Sequence, residues 1–141
     1  MSKAYISVAL RREVIERAGG CCEYCAFNSR YYGIQFAIDH IISEKHGGKT
    51  NSGNLCFSCY WCNSYKGSDI SSVEWLEEAT IVPLYNPRIQ TWSDHFKLGD
   101  ETLIGITSIG RVTISLLRMN TAERLEERQL YIDAGVYPCI P

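Results

Sequence analysis

The chain has 141 residues, 45% of them apolar and 21% charged, with a formal net charge of −2. That length suits one domain, and that composition excludes a globally disordered chain. No run of 18 apolar residues exists, which excludes a membrane-spanning helix, and the near-neutral charge argues against a polycation that coats nucleic acid indiscriminately. The opening Met1-Ser2-Lys3-Ala4-Tyr5 leads into a charged amphipathic pattern and not into the apolar stretch of a signal peptide, so the cytoplasm is the expected compartment.

Ser7 is placed to cap a helix running to about Ala18, with Leu10, Val14, Ile15 and Ala18 as its apolar face and Gly19-Gly20 as its stop. Arg11, Arg12 and Arg17 fall mostly on the other side, either as a solvated face or as contacts to a phosphate backbone. After a cysteine-rich turn, residues 34–38 alternate as a strand does, and Asp39-His40 closes it. Residues 43–53 form a polar, glycine-rich loop. From about Asn54 the pattern Leu55, Cys59, Cys62-Asn63, Lys66 predicts a helix ended by Gly67. Ser71 or Ser72 offers a cap for a short helix through Glu78, followed by an extended stretch at 81–85 and a loop at Asn86-Pro87-Arg88. Residues 102–107 read as a strand. Residues 108–119 and 121–134 read as helices with Asn120 and Glu123 as the cap between them, Gly135 ends the second, and the tail 137–141 is expected to be extended.

Charge is unevenly spread. Residues 1–66 carry eight Lys/Arg against five acids, and the remainder carries six against eleven, so the first half is the place to seek a phosphate. Seven cysteines are many for a cytosolic chain, and an odd number without a signal peptide disfavours a disulfide framework. Cys22-x-x-Cys25 and Cys59-x-x-Cys62 are two knuckles. Each brings two thiolates to one ion, and two knuckles complete a closed tetrahedron that suits structural zinc. A redox CxxC needs only one such pair. Cys21 could replace Cys22 at a spacing one residue longer, while Cys56 and Cys139 read as buried small hydrophobes. Thirty-three residues separate Cys25 from Cys59, more than the usual 15–20 of a compact zinc module, and the insert contains Asp39-His40 and Asn54.

Taken together, Arg17-Ala18-Gly19-x-Cys21-Cys22-Glu23-Tyr24-Cys25, Asp39-His40-Ile41-Ile42, His46-Gly47-Gly48-x-Thr50, Asn54-Leu55 and Cys59-x-x-Cys62-Asn63-x-x-Lys66-Gly67 resemble the zinc-knuckle branch of the HNH endonuclease superfamily. The resemblance covers about residues 11–67. It implies a ββα-metal nuclease core within an α+β chain, stapled by a zinc site of four cysteines. Residues 1–70 would be the nuclease domain. Residues 71–141 would be an α+β extension, similar to that of small stand-alone bacterial members through Tyr85-Asn86-Pro87-Arg88, Trp92 and Gly110-Arg111.

The chemistry implied is phosphodiester hydrolysis. His40 can take a proton from water near neutral pH, although a histidine at a strand end is by itself more often a packed residue. Asp39 and Asn63 offer hard oxygen ligands to a catalytic divalent ion, Mg²⁺ or Mn²⁺; the family's last letter is often His, and Asn63 stands there in this chain. Asp39 and His40, as strand neighbours, serve one site only if the strand ends or twists there. Asn54 matches the middle letter, either bracing the loop and orienting His40 or capping a helix. Lys66, three residues beyond Asn63, either steadies a phosphate or is a solvated lysine, and His46 is a further candidate contact to nucleic acid.

The expected activity is therefore a metal-dependent DNA endonuclease leaving 5′-phosphate and 3′-hydroxyl ends, with RNA as the second choice of substrate. The alternative is a non-catalytic, zinc-dependent nucleic-acid-binding module, which needs the cysteines and basic residues but not Asp39, His40 and Asn63 together. A third reading is a structural or partner-binding protein that uses its acidic second half. No membrane is implied, and neither target nor oligomeric state is legible in the residues.

Overall fold

The computed structural model describes residues 4–140, so residues 1–3 and 141 lie outside the described residues. Helix α1 (Val8–Ala18) starts where Ser7 Oγ accepts from Leu10 N at 3.1 Å and stops at Gly19, whose φ of 62° is left-handed. Val14 and Ala18 bury against Leu55 and Phe57. Ile15, expected on the same face, is instead exposed, because the contact covers only a narrow stripe of the helix.

Strands β1 (Phe36–His40) and β2 (Leu55–Cys59) pair antiparallel, with Asp39 opposite Cys56 and His40 opposite Leu55. Helix α2 (Tyr60–Lys66) follows directly, capped by Cys59 Sγ. This is a ββα unit. The helix expected from Asn54 begins six residues later, because Leu55–Cys59 is a strand buried along its whole length. A strand covered on both sides loses its alternation and reads like a buried helix segment.

The second half holds two more hairpins and two helices. β3 (Ser71–Trp75) pairs with β4 (Ala79–Pro83), and β5 (Phe96–Gly99) with β6 (Thr102–Gly105). The short helix expected after Ser71 or Ser72 is thus a strand: Val73 and Trp75 gain cross-strand partners in Ile81 and Ala79, which outweighs a local capping signal. Helices α3 (Ser108–Leu116) and α4 (Ala122–Asp133) are capped by Thr107 and Thr121. Asn120, expected as a cap, instead bonds both backbone groups of Leu103 and accepts from Arg128.

One apolar cluster joins both halves, running from Cys22, Tyr24 and Phe27 through Leu84, Tyr85 and Phe96 to Leu117 and Tyr137. Polar contacts fasten the second half to the first knuckle: Trp92 Nε1 donates to the Tyr24 carbonyl, Tyr137 Oη to that of Cys25, and Cys139 N to that of Ala26. Cys139, expected as a buried small hydrophobe where a disulfide framework is disfavoured, is disulfide-bonded to Cys21. Folding returns the tail to the first knuckle across 118 residues, a proximity that cysteine spacing does not encode.

Candidate functional site

The two knuckles meet at the junction of the turn after α1 with the β2–α2 corner. All four Sγ atoms of Cys22, Cys25, Cys59 and Cys62 lie within 4.8 Å of one another, and all four residues are buried. Cys25 Sγ and Cys59 Sγ are 3.6 Å apart. A zinc ion about 2.3 Å from each of four sulfurs needs edges of about 3.8 Å, so the cluster fits such an ion with little adjustment. Within each knuckle an amide points at the first sulfur: Cys25 N at Cys22 Sγ and Cys62 N at Cys59 Sγ, each at 3.5 Å. Burial raises the Cys22 thiol, but hydrogen bonds from the other three cysteines outweigh it and hold the group well below the ordinary thiol range. Cys21, the possible substitute, is taken up by its bond to Cys139. Cys56 is fully buried beside Tyr24 and Asp39, as expected of a packed thiol.

Asp39 and His40 are the last two residues of β1, so the strand ends where they stand. Asp39 points inward and is 7% exposed. Its Oδ2 lies 3.2 Å from Lys66 Nζ, and Lys66 is 2% exposed. Burial pushes the Asp39 carboxyl up, and the Lys66 charge works against that rise. Lys66 Nζ also donates to the His40 carbonyl at 3.0 Å, so one ammonium ties α2 to both residues. Of the two settings expected for Lys66, a phosphate contact or a solvated surface, the solvated one gives way to this buried one, because α2 turns Lys66 towards β1.

His40 is half-buried, and its Nε2 lies 2.9 Å from Thr50 Oγ1. Thr50 thus orients the ring, a role its place in the motif did not reveal. Asn54 does not touch the imidazole and caps no helix. Its Oδ1 accepts from Ile42 N, and its Nδ2 donates to the carbonyls of Ile42 and Lys49, which braces the loop beyond His40. Gly48 is packed into that brace: a Cβ there would stand 1.7 Å from the Ile42 carbonyl oxygen. His46 Nε2 approaches the Ser68 carbonyl at 3.1 Å and links the loop to the segment after α2.

Asn63 is half-buried on α2, and its side chain makes no hydrogen bond among the described residues. The only cluster of Cys, His, Asp and Glu with metal-binding geometry among the described residues is the cysteine tetrad. Arg11 and Arg12 are exposed on α1. Arg17 is turned to structural use, its guanidinium donating to the Leu55 carbonyl at 2.8 Å and to Ser52 Oγ at 3.2 Å.

The family described as HNH endonuclease matches residues 22–69. The Septu protein PtuB of Bacillus thuringiensis is 29% identical over 125 residues, which are 87% of this chain and 44% of that protein. The chain therefore spans less than half the length of this curated relative. No helix is long and apolar enough to cross a membrane among the described residues. The ββα unit, the knuckle pair and the Asp39-His40 step all lie inside residues 22–69, the segment that matches the HNH endonuclease family.

Proposed function

We propose that the chain is a metal-dependent nuclease that hydrolyses DNA phosphodiester bonds, with His40 as general base. The observation that carries this reading is the setting of His40. It ends a strand of a tightly braced ββα unit, and Thr50 holds its ring at Nε2. That contact leaves Nδ1 free among the described residues, so Nδ1 is the atom that takes the proton from the attacking water while Nε2–H donates to Thr50. The Lys66 bond to the His40 carbonyl and the Asn54 brace keep the strand end from shifting during the transfer.

Asp39 and Asn63 would hold the divalent ion, Mg²⁺ or Mn²⁺. Both are hard oxygen donors, Asp39 Oδ1 is unengaged among the described residues, and Asn63 lies on the α2 face that Lys66 directs at β1. When bound, such an ion supplies charge neutralisation at the scissile phosphate and at the leaving 3′ oxygen. The four cysteines would hold a structural zinc. Exposed Arg11, Arg12 and His46 are the candidate contacts to the phosphate backbone, which positions a duplex without reading its sequence.

One observation favours a second reading. Asp39 already has a cation in Lys66, as it would in a nucleic-acid-binding module that never recruits a catalytic ion. Incubating supercoiled plasmid with the zinc-loaded protein and Mg²⁺, Mn²⁺ or no added ion separates the two. Nicked or linear product that depends on the ion supports the nuclease, whereas unchanged plasmid together with retained DNA binding supports the module.

A further inference from the structure

The β3–β4 hairpin is built inside out. Ser71, Val73 and Trp75 share a face with Pro83, Ile81 and Ala79, their cross-strand partners. The opposite face carries Ser72, Glu74, Thr80 and Val82, and this more polar face meets the body of the protein. Val82 is buried there, and Glu74 forms an ion pair with Arg111 of α3. The apolar face looks outward. Trp75 is 77% exposed, Ile81 76%, and Leu76 at the turn 73%. A two-stranded hairpin ordinarily packs its apolar face on something, and a contiguous apolar patch left open marks an interaction site. Pro83 carries the patch on to a 260 Å³ groove that includes Ile42, Ile70 and Ile89, all exposed, and that reaches Lys66.

The charges beside the patch select its occupant. Residues 69–83 contain no lysine or arginine, and of their four acids Glu74 is paired with Arg111, which leaves Asp69, Glu77 and Glu78. Glu77 and Glu78 form the turn between the strands and are exposed. This rim repels nucleic acid and anionic lipid. It also disfavours a second copy of the chain, because an isologous contact would present the same hairpin, whose residues 69–83 hold no lysine or arginine to complement the acidic turn. We infer that the outward face of the β3–β4 hairpin is a docking surface for a protein partner that presents an apolar element flanked by lysine or arginine. Trp75 has the character of a central anchor, since large aromatic side chains dominate interface energies. The inference stands on this surface alone and is independent of the nuclease reading.

The test uses the full chain. A photo-crosslinking phenylalanine analogue replaces Leu76, or Gln129 on α4 as a control, in the cells that produce the protein. A protein adduct at position 76 but not at 129 is expected. The captured protein, purified, should bind the unmodified chain, and Trp75→Ser/Ile81→Ser should weaken that binding by about tenfold or more. Glu77→Lys/Glu78→Lys should weaken it and reduce its salt dependence. Both substituted pairs are exposed, so circular dichroism and zinc content should be unchanged. An adduct to nucleic acid, to a second copy or to nothing at all overturns the inference, and so does an affinity that neither double substitution alters.

Discussion

Removing the Asp39 carboxylate alone should strand a buried ammonium. Lys66 is 2% exposed, and its charge is balanced by Asp39 at 3.2 Å. At an effective dielectric near 20 the attraction at that distance is roughly 5 kcal/mol. Deleting one partner of a buried pair costs about 3–5 kcal/mol, because the remaining charge has lost its compensation. Asp39→Ala should therefore lower the melting temperature of the zinc-loaded protein by roughly 10–15 °C, given the usual entropy of unfolding for this length. Asp39→Ala/Lys66→Met, which removes both charges and keeps most of the lysine volume, should recover at least half of the loss. Urea unfolding of the four proteins in a double-mutant cycle gives the coupling directly. Asp39→Ala with unchanged stability, or a double variant no more stable than Asp39→Ala, would show that Lys66 is not held by Asp39.

The cysteine tetrad should bind one zinc per chain. Elemental analysis should find that Cys22→Ser, Cys25→Ser, Cys59→Ser and Cys62→Ser each lose the metal while Cys56→Ala keeps it, and chelation should unfold the ββα unit, as zinc binding is worth on the order of 10–16 kcal/mol in small zinc peptides. Gly48→Ala should destabilise the loop beyond His40, since its new Cβ would meet the Ile42 carbonyl oxygen at 1.7 Å, and hydrogen exchange at residues 42–54 should rise. Cys139→Ser opens a loop spanning 118 residues and should cost about 5 kcal/mol under oxidising conditions by chain entropy. A reductant should lower the melting temperature of the unmodified protein and leave that of Cys139→Ser unchanged.

Local chemistry made part of this architecture legible from the residues. The Ser7 cap and the Gly19 stop bound α1, and the knuckle spacing located the tetrad before any fold was known. The misreadings arose where distant partners decide. Leu55–Cys59 is covered on both faces and so carries no strand alternation. Ser71 looks like a cap until Pro83 pairs with it. Lys66 sits three residues after Asn63, which fixes its helix face, but only Asp39 makes that face a buried one. Thr50 appears in the motif without a role, because its bond to His40 depends on how the loop folds back. Nothing local in Cys139 points to Cys21.

The central claim is that His40 moves the proton, and one preparation of His40→Ala tests it most directly. The rate of plasmid cleavage should be measured against the unmodified protein at equal zinc content, equal DNA binding and equal melting temperature. A positioned general base contributes about 10²–10⁴ in rate, so cleavage should fall by that factor while the other three quantities stay constant. Cleavage at the full rate by a folded His40→Ala protein would contradict the account.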